Sequence, residues 1–107
     1  IGAHGQEEGL ASHWELWSFV KGGMTPIEAL RTATISGARS LGFDKGSGAI
    51  EPGTLADMVL IDGDPVSDIR QSDRLTHVML NGRLYEVPTM NETLTGTSKL
   101  RKWYWEK

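Results

Sequence analysis

The sequence predicts an α+β fold in which helices come first and a small antiparallel sheet follows. Three stretches carry that expectation. Residues 1–43 show apolar positions at helical spacing, punctuated by Gly-Gly and Thr-Pro. Residues 46–62, GSGAIEPGTLADMVLID, read as strand, turn, strand. Residues 78–85, VMLNGRLY, set Asn-Gly between two apolar runs, the favoured type I′ hairpin, because both central residues must take φ > 0.

The elements follow in order. Residues 2–10 are loop by composition, with Gly2, Gly5 and Gly9 permitting close backbone approach. Ser12 and Glu15 form a candidate capping box for a helix running to Lys21, with Trp14, Leu16, Trp17 and Val20 as its apolar stripe and Gly22-Gly23 as its stop. Thr25-Pro26 opens a second helix with an N-cap hydroxyl, proline at the first position and Glu28 in the first turn. Ile27, Leu30 and Thr34 share one of its faces, and Ala29 and Ala33 allow close packing beside it. A third helix spans residues 36–41 and ends at Gly42; its small residues Gly37, Ala38 and Ser40 imply tight contact.

The β part begins with a short strand at Ala49-Ile50. A type II turn at residues 51–54 follows, since Pro52 presets φ and Gly53 accepts φ > 0. The continuous apolar run Met58-Val59-Leu60-Ile61 is expected to be a strand buried on both faces. Asp64-Pro65 breaks it, and residues 67–70 suit a single tight turn of helix. Beyond Pro88 the pattern weakens into a polar segment, until Trp103-Tyr104-Trp105 offers three consecutive aromatics that are expected to dock on something.

Composition narrows the function classes. A chain of 107 residues suffices for one ordinary domain, and 38% apolar with 23% charged residues is a globular balance. The net charge of −3 and the absence of a basic stripe argue against nucleic acid as a partner. No apolar run approaches the roughly 20 residues of a membrane span. Cysteine is absent, which removes disulfides and thiolate metal sites but leaves the compartment open. The chain opens without methionine on a stretch that reads like a strand end entering a glycine-rich loop, so it is expected to be the C-terminal piece of a longer protein.

With the elements placed, their motifs form a recognisable series. GMTPIEALRTAT at residues 23–34 and GARSLG at 37–42 resemble the last helices of a metal-dependent amidohydrolase barrel. GAIEPGTLADMVLID at 48–62 resembles that superfamily's return into its small β-sandwich, and VMLNGRLY its closing hairpin. The resemblance covers residues 1–87 and leans towards imidazolonepropionase and prolidase. GAHGQEEGLASHWELW at 2–17 and WYWE at 103–106 are similar to the subgroup in which an N-terminal β-propeller precedes the hydrolase, and whose members are often exported. The resemblance implies three regions: the end of a (β/α)₈ barrel at 1–43, part of a composite β-sandwich at 44–87, and a tail at 88–107. It also implies a divalent metal, zinc foremost, in the intact parent, activating water against C–N bonds of amides, peptides or cyclic amides. The early His-x-His pair, the bridging lysine and the mid-barrel histidines of that superfamily are not in this sequence, so the chain alone is expected to be inactive and need hold no metal. Its expected partners are the missing N-terminal part or a second copy, with a small molecule or peptide as the parent's substrate and no nucleic acid or membrane. A periplasmic or secreted location follows from the propeller-fused relatives.

His4 is the foremost site candidate. It stands where the superfamily places a metal-binding, proton-shuttling aspartate, and a neutral imidazole can ligate zinc or act as a base near neutral pH. The alternative is a loop histidine bonded to backbone. His13 and Trp14 are candidates for substrate contact, while Trp14 and Trp17 also suit packing. His4 and His13 are not at a recognised ligand spacing. Asp57, Asp62, Asp64 and Asp68 do not fit a calcium loop and are expected to serve turns and caps. His77, within a strand pattern, is expected to be structural. Against the enzyme reading stands a non-catalytic structural or oligomerisation module, whose sheet edges and apolar helix faces need cover.

Overall fold

The computed structural model of the 107-residue chain describes residues 1, 2, 7, 9–96 and 99. Three helices precede a three-stranded antiparallel sheet, so the α+β class predicted from sequence is the class observed.

Helix α1 (Leu10–Lys21) starts one turn earlier than expected. Its N-cap is Gly9 at φ 77°, with no side-chain cap. Ser12 lies inside the helix, and Glu15 turns back instead, where both carboxylate oxygens accept the Gly2 N–H at 3.0 Å. A flexible glycine has thus taken the helix entrance in place of a serine capping box. At the other end, the Gly22 and Gly23 N–H groups donate to the Ser18 and Val20 carbonyls, closing the helix.

Helix α2 (Pro26–Thr32) begins as its sequence dictates. The Glu28 N–H donates to Thr25 Oγ1, and the Glu28 carboxylate accepts the Thr25 N–H, a complete capping box. Ala29, not the Ile27 stripe, is its buried residue; Ile27 is exposed. Helix α3 (Ile35–Leu41) ends on Gly42 at φ 75°, the left-handed cap that glycine adopts without penalty.

Between α3 and the sheet the chain is held by turns. The Thr54 N–H donates to the Glu51 carbonyl at 3.2 Å, and Gly53 has φ 91°, as a type II turn requires. No strand forms at Ala49-Ile50. The Thr54 hydroxyl donates to the Ala49 carbonyl, which binds it to its own turn and not to a neighbouring strand.

Strand β1 (Met58–Ile61) pairs with β2 (Leu75–Leu80), which pairs with β3 (Arg83–Glu86), in the order β1-β2-β3. Met58 faces Met79 and Leu80 faces Arg83; the register slips between Leu60 and Ile61. Asn81 at φ 48° and Gly82 at φ 77° make the type I′ turn that Asn-Gly predicts. Burial of β1 on both faces does not hold, because Val59 is 53% exposed and Leu60 is exposed as well. Side chains alternate across a strand, so each face of β1 carries an exposed residue; its main neighbours are β2 and the 3₁₀ helix Ile69–Asp73. The helical turn expected at 67–70 thus starts two residues later and runs longer, with the Asp68 carboxylate capping the Arg70 N–H.

The polar segment after Pro88 is not featureless. Residues 86–95 fold back on β3: Tyr85 bridges to Glu92, and the Thr93 N–H donates to the Leu84 carbonyl. Among the described residues the buried apolar core is Leu16, Ala29 and Ile69, supported by Trp17, Phe19, Val20 and Leu30. It therefore sits where α1, α2 and the 3₁₀ helix meet, beside the sheet.

Candidate functional site

The region that joins the candidate residues is the seam between α1 and the 3₁₀ helix. Ser72 is 1% exposed, and two side chains of α1 reach it. His13 Nδ1 lies 3.0 Å from its Oγ, and Trp17 Nε1–H donates both to that oxygen at 3.0 Å and to the Ile69 carbonyl at 2.9 Å. A serine hydroxyl can accept two hydrogen bonds and donate one, so it can serve both partners at once. The Arg70 guanidinium lies 4.9 Å from the centre of the Trp17 ring, a cation–π distance.

Neighbours on α1 diverge by about 100°, so His13 and Trp14 point different ways. His13 turns to Ser72, whereas Trp14 is 45% exposed. Trp14, Trp17, Ser18, Val20, Lys21, Ile69 and Arg70 line a hollow of about 420 Å³. His4 lies outside the described residues, as does the Trp103-Tyr104-Trp105 tail.

Among the described residues no three His, Cys, Asp or Glu side chains are placed to share a metal ion. A zinc site of the hydrolytic kind needs three protein ligands; these residues do not fit one. Asp64 and Asp68 do what turn and cap chemistry predicts, whereas Asp57 reaches across to the hairpin. Asp57 Oδ1 accepts the Asn81 N–H at 2.6 Å and so ties β1 to the hairpin tip. Asp64 accepts from the N–H groups of Val66 and Ser67 and from the Ser67 hydroxyl, chiefly through which its carboxyl is held below the usual aspartate range. His77 sits half-buried in β2, opposite Glu86, with Nδ1 3.2 Å from the Thr76 hydroxyl.

Ser72 and Arg70 were not signalled by local sequence. Ser72 lies 59 residues from His13 and 55 from Trp17, with no motif linking them. One hint was available: an indole N–H in an apolar stripe needs a partner once buried, and Trp17 found two.

Comparison with known proteins agrees with this architecture. The amidohydrolase family profile matches residues 9–85. Ochratoxinase from Aspergillus niger is 33% identical over 72 residues, covering 64% of this chain and 15% of the relative. A solved Xaa-Pro dipeptidase with methionine in its active site superposes with a TM-score of 0.72 at 33% identity, over 76% of this chain and 20% of that one. Phenylurea hydrolase B superposes with a TM-score of 0.68 at 42% identity, over 71% and 17%. With most of its length inside the family match, the chain belongs to the amidohydrolase family. It spans about a fifth or less of the length of these relatives.

Proposed function

We propose that this chain forms the terminal part of a metal-dependent hydrolase acting on C–N bonds of amides, peptides or cyclic amides. The observation that carries the reading is the family match over residues 9–85, on a chain that covers a fifth of the dipeptidase it resembles in fold. In this reading residues 1–43 are the last helices of a barrel, 44–87 part of a sandwich and 88–107 a tail. Most ligands of a divalent metal, zinc foremost, then come from outside this chain. His4 is the chain's own contribution as metal ligand and proton acceptor through a neutral ring nitrogen, and His13 and Trp14 contact substrate. Residues 2–17 and 103–106 favour an exported, propeller-fused parent, which fractionation of the producing cells would check.

The isolated chain supplied with Zn²⁺ is expected to hydrolyse neither dipeptides nor N-acyl amino acids. Grafted in place of the matching segment of the Xaa-Pro dipeptidase, it is expected to sustain metal-dependent dipeptide hydrolysis, and His4→Ala to lower kcat at least about 100-fold, the lower end for a lost general base. Turnover by the isolated chain that His4→Ala abolishes would overturn this division of labour.

A non-catalytic module that self-associates is the second reading. It is favoured by an apolar cleft of about 710 Å³ between α3 and β1, whose lining includes Leu41, Phe43, Ile50 and Val59. Light scattering decides: a monodisperse monomer at high concentration counts against it.

A further inference from the structure

We propose that the hollow between the second half of α1 and the 3₁₀ helix binds a small aromatic carboxylate. Its volume of about 420 Å³ lies within the range of small-molecule sites. Two cations line it: Lys21 from the last turn of α1 and Arg70 from the 3₁₀ helix. Arg70 is stacked at 4.9 Å on Trp17, and the indole beneath it is locked by its bonds to Ile69 and Ser72. A guanidinium placed by stacking keeps its edge N–H groups for a bidentate, in-plane carboxylate, at little entropic cost.

The surrounding charges favour an anion. Among the described residues no carboxylate pairs with Lys21 or Arg70; the ion pair observed is Arg39 with Asp44, at 3.8 Å. The nearest acidic group in sequence, Asp68, spends its Oδ1 on the Arg70 backbone N–H. Of the last carbonyls of α1, which would repel an anion, those of Ser18, Phe19 and Val20 accept the N–H groups of Gly22, Met24 and Gly23. Trp14, 45% exposed, and the side chains of Val20 and Ile69 supply the apolar wall, so an aryl group attached to the carboxylate has a face to stack on. The pattern of one cation held over an indole, a second cation and an exposed indole is what separates an aryl carboxylate from a simple anion.

The test is a titration of the 107-residue chain with 3-phenylpropionate and, separately, with 3-phenylpropionamide, followed through the indole N–H resonances of Trp14 and Trp17. The acid is expected to shift both resonances saturably, with the amide at least about tenfold weaker, since charge-assisted hydrogen bonds distinguish the two. Arg70→Gln is expected to weaken the acid by a similar factor. Lys21→Gln, which leaves the Trp17 stack in place, should weaken it less and remove part of its salt dependence. Equal affinity for acid and amide, an unchanged affinity in both variants, or shifts that never saturate would each sink the proposal.

Discussion

Ser72 shows how much one hydroxyl can settle. It is the buried meeting point of His13 and Trp17, and the two bonds dock α1 onto the 3₁₀ helix. Ser72→Ala leaves Trp17 its bond to the Ile69 carbonyl but leaves His13 Nδ1 facing a methyl group. The expected loss is about 1–2 kcal/mol in urea unfolding, the cost of a partly buried polar atom left without its partner. A change below a few tenths of a kcal/mol would show that water replaces the hydroxyl freely. Glu28 makes a second residue-scale prediction. Accepting the Thr25 N–H, and then its hydroxyl, holds the Glu28 carboxyl below its ordinary value of 4.5. The folded state therefore releases this proton at a lower pH than the unfolded state does. The capping box contributes its stability above pH 4.5 and loses it as the pH falls through the depressed native value. The difference in urea midpoint between the native chain and Glu28→Gln is accordingly expected to shrink steadily from about pH 6 to pH 3. A difference independent of pH would mean that the carboxylate's charge plays no part in the cap.

At the scale of elements, the pieces built by short-range chemistry match their sequence signals. Thr25-Pro26 with Glu28 starts a helix because every partner lies within three residues, and Asn81-Gly82 makes a hairpin because the turn's φ values select those residue types. Two elements departed from expectation for reasons beyond their own residues. Ser12 is passed over because Gly9 can take φ 77° and Glu15 is engaged by Gly2. Ala49 and Ile50 have strand-like chemistry but no strand beside them. Gly48 marks the seam between α3 and the sheet: its φ is 92°, and an added Cβ would meet the Ala38 Cβ at 2.7 Å and the Ile35 Cα at 3.1 Å. Gly48→Ala therefore combines a left-handed backbone with a collision against α3, and is expected to cost more than about 2 kcal/mol by thermal unfolding. Gly82→Ala carries the backbone penalty alone, since nothing lies within 4 Å of its Cβ position, and is expected to cost about 1–2 kcal/mol. Equal costs for the two would rule out close packing at Gly48.

Over the whole molecule, the chain is looser than its length requires. Its radius of gyration is 15.3 Å, against about 13 Å for a compact domain of about 100 residues. Ile50 is 81% exposed and Phe43 63%, and among the described residues the buried core lies at the seam of α1, α2 and the 3₁₀ helix. Leu41, Phe43, Ile50 and Val59 line one cleft, and large exposed apolar patches mark interaction sites. The folded chain is expected to bind a hydrophobic dye and to self-associate as its concentration rises. Val59→Lys should reduce both while changing stability by less than about 0.5 kcal/mol, because the side chain it replaces is 53% exposed. Dye binding unchanged by Val59→Lys would place the exposed patch elsewhere.

The sequence carried the family, the α+β class, the capping box of α2, the type II turn and the hairpin, since each is written in residues that touch their own near neighbours. Asp64 and Asp68 belong with them, having taken the nearby backbone partners that turn and cap chemistry assigns, whereas Asp57 bonds the Asn81 N–H, 24 residues away. Tertiary structure alone decided that His13 and Trp17 converge on Ser72, that Arg70 lies over an indole of α1, and that β1 carries an exposed residue on each face. Those outcomes depend on which elements pack together, and a hydrogen bond spanning 59 residues leaves no periodicity in the chain for a reader to find.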